Sequence, residues 1–222
     1  MSHVPGNLIF KRWLNALKSP TGFVNPPAPA GSLTFFDAET ISPVPPNTVM
    51  GNAATERDLF LTYITTDDPI TFENKANNSP VGSWGPNAAG VSATMAPNGL
   101  ATVNFGGRFN TNPVGGVRYV ELGAQLAFVI DFSVDIAGFG TFLTDIGDFN
   151  AQWSVSMRDV NGVTTTRNIT HTVGSPNGNL VFWGFIDSTG LLYNRVTISK
   201  DNTADAGGMD GVYMITPGEL AV

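Results

Sequence analysis

From residue 58 onward, apolar and polar positions alternate in short runs of about 5–10 residues separated by turn formers. The runs are DLFLTYITTDDPITFEN, GLATVNFGGRF, VRYVELGAQLAFVIDFSV, FGTFLTDIGDF, AQWSVSMRDVNGVTTTRNITHTV, NLVFWGFID, LLYNRVTIS and GVYMITPGEL. The first splits at Asp67-Asp68-Pro69 into two strand-like halves. Asn161-Gly162 lies between alternating segments, the strongest local hairpin signal in the chain. About eight or nine strands with no helical period between them predict an all-β fold, a two-sheet jelly-roll sandwich. Within it, FLTDIGDF is expected to be a strand followed by a turn. Phe142 and Phe149 are then packing anchors, and Asp145 and Asp148 bond turn backbone.

The first 57 residues have a different texture. Phe10, Trp13, Leu14 and Leu17 fall at i, i+3, i+4 and i+7, one face of a short helix over about residues 7–18. Asn7 is its N-cap candidate and Pro20 its stop. So short a helix needs a surface, either its own domain or a partner chain. Prolines 20, 26, 27, 29, 43, 45 and 46 then favour an extended segment. Phe35 and Phe36 in its middle argue for an arm that orders along another subunit, because a free linker rarely carries adjacent Phe residues. The expected division is an N-terminal arm, 1–57, and a sandwich, 58–222.

Composition narrows the function classes. Of 222 residues only 13% are charged, with 25 Gly and 15 Pro, as in β proteins with many turns. The net charge is −7, +1 over residues 1–57 and −8 over the rest. This disfavours nucleic acid as a partner, since phosphates require basic clusters. Cysteine is absent, which excludes disulfides and thiolate metal sites. No apolar run approaches a membrane span. The N-terminus, interrupted by Lys11 and Arg12, does not read as a secretory signal.

The order AFVIDFSVDIAGFGTFLTDIGDF, HTVGSPNGNLVFWGFIDSTGLLYNRVTIS and GGMDGVYMITPGEL resembles the jelly-roll domains of bacterial exported proteins that carry a PEP-CTERM sorting tail. The likeness covers about Ile70 to Ile215. It implies a lectin-like sandwich that binds carbohydrate or serves as surface material. The expected export signal and sorting tail are missing here, which suggests another setting, a tailed-bacteriophage virion, with an extracellular or cell-surface location as the alternative. The resemblance also implies a structural calcium ion joining Glu73 to Asp210, with Asp201, Asn202 and Asp205 nearby. The spacing there is not that of an EF-hand.

Catalysis is not expected. His3 and His171 are the only imidazoles, and no nucleophile elbow is present. The pairs Asp145/Asp148, Asp67/Asp68 and Asp131/Asp135 have no spacing that sets them across a cleft. Among the aromatics Trp84, Trp153, Trp183 and Tyr193, Trp84 in PVGSWGPN is the expected exposed ring and glycan contact. Two functions follow as expectations. The first is a non-enzymatic virion protein, a capsid decoration or tail component, homo-oligomeric and docked on a major capsid or tail protein through Phe10, Trp13, Leu14, Leu17, Phe35 and Phe36. The second is a carbohydrate-binding or adhesion module, with calcium as the candidate ion and a host surface glycan as partner.

Overall fold

Strand-period alternation buries one side of each strand, and two such faces closed on each other make the core. The computed structural model describes residues 32–40, 51–97, 101–105, 116–171, 173–174 and 179–221. In chain order the elements are β1 (Ser32–Thr40), α1 (Gly51–Leu61), β2 (Ser79–Pro80), β3 (Ser83–Trp84), β4 (Ala93–Ala96), β5 (Ala101–Phe105) and β6 (Arg118–Leu122). There follow β7 (Ala127–Ile136), β8 (Gly138–Ile146), β9 (Trp153–Asp159), β10 (Thr164–Asn168), β11 (Asn179–Asp187), β12 (Tyr193–Lys200) and β13 (Gly207–Ile215).

The strands form two antiparallel sheets. The first runs β1-β11-β8-β13-β6-β5-β2 and the second β10-β9-β12-β7-β4-β3. Counting β6 to β13 as one to eight, the sheets contain the orders 1-8-3-6 and 2-7-4-5, the interleaved Greek keys of a jelly roll. The predicted hairpin is β9–β10: Gly162 adopts φ +85°, and the Asp159 carboxylate accepts from the amides of Asn161 and Val163.

The two sheets differ in cover. In the second, β9 and β12 alternate buried and less buried residues, so its outer face is open. In the first, every residue of β8 and β13 is buried. The inner face meets the second sheet through Phe139, Leu143, Trp183, Phe185, Met209 and Met214. The outer face is covered by α1, whose Ala53 and Phe60 join Phe142, Phe182 and Tyr213. Gly140 and Gly184 pair across β8 and β11, and a Cβ on Gly184 would lie 3.0 Å from Phe60. These two glycines make the notch that admits the Phe60 ring, which lies 5.4 Å from Phe182 and 5.6 Å from Tyr213.

Three sequence expectations meet different facts here. DLFL, read as strand, is the last turn of α1, and Ile70 of the following run makes only an isolated bridge to Val212. The boundary at residue 57 falls inside that helix. Residues 32–40, expected to order along another subunit, pair residue by residue with β11 of the same chain, from Ser32 opposite Asp187 to Thr40 opposite Asn179. This proline-free stretch can supply the ladder donors that its flanks cannot. The expected helix over 7–18, with Phe10, Trp13, Leu14 and Leu17, lies outside the described residues.

Candidate functional site

At one end of the sandwich four loops meet: β6–β7, β8–β9, β10–β11 and β12–β13. The β8–β9 loop leaves the sheet through a run of left-handed residues. Asp145 has φ 56°, Gly147 101°, Phe149 53° and Asn150 60°. For Phe this region is rare, costs about 1–3 kcal/mol, and persists only where neighbours impose it. The neighbours do. Asn202 Nδ2 donates to the Phe149 carbonyl at 2.9 Å, and Gly174 N donates to the Gly147 carbonyl at 2.7 Å. Gln152 N donates to Asp201 Oδ1 at 2.8 Å, while Asp201 N donates back to the Gln152 carbonyl.

Beneath these loops lies a charged knot. Asp205 is fully buried, and its Oδ2 accepts from the Trp153 indole at 2.6 Å and from Gly147 N at 2.9 Å. Burial pushes this carboxyl above its usual range, and the two donors oppose that displacement. Lys200 lies over the Trp153 ring and donates to the carbonyls of Gly123 and Asp205. Burial lowers its ammonium to about 8, against the pull of Asp205. The knot ties three loops to the core, so the surface above it is held in one conformation.

That surface presents Phe149. The ring is 59% exposed, the largest exposed aromatic among the described residues, beside exposed Asn150 and with Val173 exposed on the neighbouring loop. Phe149 is therefore not the packing anchor expected from sequence; Phe142, its counterpart in the motif, is fully buried. Asp145 and Asp148 are buried under the same turn. The one sequence signal was an aromatic set between Gly147 and Asn150, two residues that tolerate left-handed backbone.

Trp84 behaves in the opposite way. Expected as an exposed ring, it is 3% exposed and stacks edge-on against Phe72 at 5.7 Å, because β3 pairs with β4 and turns the ring into the core. Trp153 and Trp183 are buried, and Tyr193 donates its hydroxyl to Asp187. None of these four rings forms a platform.

The expected calcium ligands do not converge. Asp201 and Asp205 belong to the loop end, where Asp201 Oδ1 and Asp205 Oδ2 accept the donors described above and Asp205 Oδ1 is buried with no hydrogen-bond partner among the described residues. Glu73 and Asp210 form a separate pair, where Glu73 Oε1 accepts from the amides of Val117 and Arg118 at 2.7 and 2.6 Å. Asp210 is 2% exposed, and neither carboxylate oxygen has a side-chain partner among the described residues. Burial, with a smaller push from Glu73, raises its carboxyl well above the usual range, while the Gly211 amide opposes it. Among the described residues no three acids or histidines gather as a metal-binding group. Two carboxylates fit a cation only where backbone carbonyls complete its shell of six to eight oxygens.

Of the other candidate acids, Asp67, Asp68 and Asp131 have structural partners, and Asp135 is exposed. Asp67 accepts from Tyr213, Asp68 from Ala88 N, and Asp131 from Arg195 at 2.6 Å. His171 Nε2 accepts from Trp153 N at 3.1 Å, as a structural histidine does. His3 lies outside the described residues, as do the side chains of Phe35 and Phe36, whose backbones pair with Gly184 and Trp183.

No protein-family model matches the chain, and no curated protein matches it. Among solved structures it is similar to TmCBM61, whose structure was solved in complex with β-1,4-galactotriose. The identity is 15%, the match covers 69% of this chain and 98% of that chain, and the TM-score is 0.39.

Proposed function

We propose that the chain is a non-catalytic binding module whose loop end holds a carbohydrate against Phe149. The observation that carries this reading is the ring itself, exposed and fixed in a left-handed backbone by contacts from neighbouring loops. A sugar presents one apolar face of C–H groups and a rim of hydroxyls. The ring offers an apolar platform for the first. Asn150 and the loop backbone offer donors and acceptors for the second, and a preset geometry lowers the entropy lost on binding. This reading is preferred to a particle-anchored structural role because it rests on a described surface, whereas Phe10, Trp13, Leu14 and Leu17 lie outside the described residues.

A glycan array followed by calorimetric titration tests it. Wild-type protein is expected to bind at least one oligosaccharide, and Phe149→Ala to lose affinity by about tenfold or more, the loss of one stacked aromatic contact. The thermal midpoint of that variant should stay near wild type, because so exposed a ring contributes little to packing. Equal binding by Phe149→Ala, or no binding by wild type across the array, would overturn the reading. A cation is a further part of it, with Glu73 and Asp210 as the residues that would hold calcium.

A further inference from the structure

The open face of the second sheet sets two like charges side by side. Register places Ser83, Thr94, Asp131, Arg195, Arg158 and Thr164 opposite one another, in one rank across all six strands. Within it Arg158 of β9 and Arg195 of β12 are direct partners. Like charges directly opposed destabilise a sheet. One carboxylate serves the two cations. Arg195 Nε donates to Asp131 Oδ1 at 2.6 Å, and Arg158 makes no ion pair among the described residues. All three side chains reach solvent, Arg195 at 38% and Asp131 at 48%, with Arg158 exposed.

Around these charges the face is hydroxylic. The next rank brings Thr197, Ser156 and Thr166 into line. Ser156 and Thr166 share a hydrogen bond at 2.8 Å, as Ser83 and Thr94 do in the first rank. No aromatic ring stands in either rank. Protein interfaces are anchored by buried aromatic side chains, and single-stranded nucleic acid by stacking on them, so neither partner fits this face. Within a chain of net charge −7, the two ranks hold two Arg and one Asp. Six strands at about 4.8 Å spacing make each full rank about 24 Å wide. The result is a broad bed of donors and acceptors with an excess cation near its middle.

We propose that this face binds an acidic polysaccharide, recognised by the carboxylate of a uronic acid. The uronate lies on Arg158 and Arg195 together and relieves their repulsion. Hydroxyl groups of the sugar chain exchange hydrogen bonds with Thr197, Ser156, Thr166 and Thr164. A planar guanidinium fork matches the two oxygens of a carboxylate, and the face already displays such a contact once, Arg195 on Asp131. This inference does not depend on the loop-end reading. Phe149 stands beyond the start of β9 at Trp153, whereas Arg158 lies near the other end of that strand.

Affinity electrophoresis of the full chain through polygalacturonate, with dextran sulfate as the comparison polymer, tests this. Wild type should be retarded by polygalacturonate and less by dextran sulfate, and the retardation should fall with added salt. Arg158→Gln removes no ion pair among the described residues. It should weaken polygalacturonate binding about tenfold or more, the loss of one charge-assisted contact. Asp131→Asn frees Arg195 from its competitor within the chain and should tighten binding, which a merely structural ion pair would not do. Phe149→Ala should migrate as wild type in polygalacturonate. The proposal is overturned by absence of wild-type retardation, by equal binding of Arg158→Gln, or by weaker binding of Asp131→Asn. Stronger retardation by dextran sulfate, or loss of polygalacturonate binding in Phe149→Ala, also overturns it.

Discussion

Asp210 shows how much one buried carboxylate can govern. Its burial disfavours the charged form, and Glu73 adds a like charge. The folded chain therefore binds this proton more tightly than the unfolded chain does. The resulting stability is present at acid pH and is lost as pH rises through the folded-state value. Asp210→Asn keeps the side chain neutral throughout. In chelator, its melting temperature should match wild type near pH 4 and exceed it increasingly toward pH 8. A tenfold difference in proton affinity corresponds to about 1.4 kcal/mol, or roughly 3–6 °C in a domain of this size. Calcium should raise the wild-type midpoint and leave the variant unmoved. A variant less stable than wild type at every pH in chelator would show that the charge is well satisfied. Sequence reasoning did single out Asp210 and Glu73. It also added Asp201 and Asp205, since nearness in sequence cannot reveal that Trp153 and Gly147 already claim Asp205.

Among the elements, α1 is the one whose period concealed it. Its buried positions, Ala53 and Phe60, are seven residues apart, and one of them is small. Its last turn is chemically indistinguishable from the strand-like runs that follow it. What makes it a helix is the sheet beneath, where two paired glycines admit Phe60. Gly184→Ala puts a methyl 3.0 Å from that ring and 3.2 Å from the Phe139 carbonyl. Overpacking of this kind should cost about 1–3 kcal/mol, read as an earlier midpoint in urea with an unchanged slope. Phe60→Ala should cost about 3–5 kcal/mol. Paired with it, Gly184→Ala should lose most of its own penalty, because the clashing ring is gone. Full additivity in that double variant would mean that the notch does not seat Phe60. The jelly-roll strands from β6 onward were far more legible, with period-2 runs bounded by Gly, Asn and Asp.

For the whole molecule, the boundary of the folded body decides what can be removed. The compact unit that contains the sandwich begins at Gly31, ahead of β1. A chain lacking residues 1–30 retains every described element and is the reference for a longer truncation. A chain lacking 1–57 loses β1 and most of α1, and the four helical residues left are too few to persist. It should melt lower by roughly 10 °C or more, since several kcal/mol of edge pairing and outer-face packing go with them. It should also aggregate through the bared β11 edge. Equal midpoints for the two truncations would show that β1 and α1 contribute no stability to the sandwich.

The sequence by itself determined the strands from β5 onward, the hairpin at Asn161-Gly162 and the two-sheet class. These depend on local period and turn chemistry, which a linear pattern carries. The tertiary structure decided which residues face outward. Trp84 sits among turn formers yet is buried, because β3 pairs with β4 and Phe72 waits beneath. Phe149 sits beside a strand yet is exposed, because Asp205, Asn202 and Gly174 hold its turn in a left-handed path. Those contacts span 27 to 58 residues of sequence, and no local pattern encodes them.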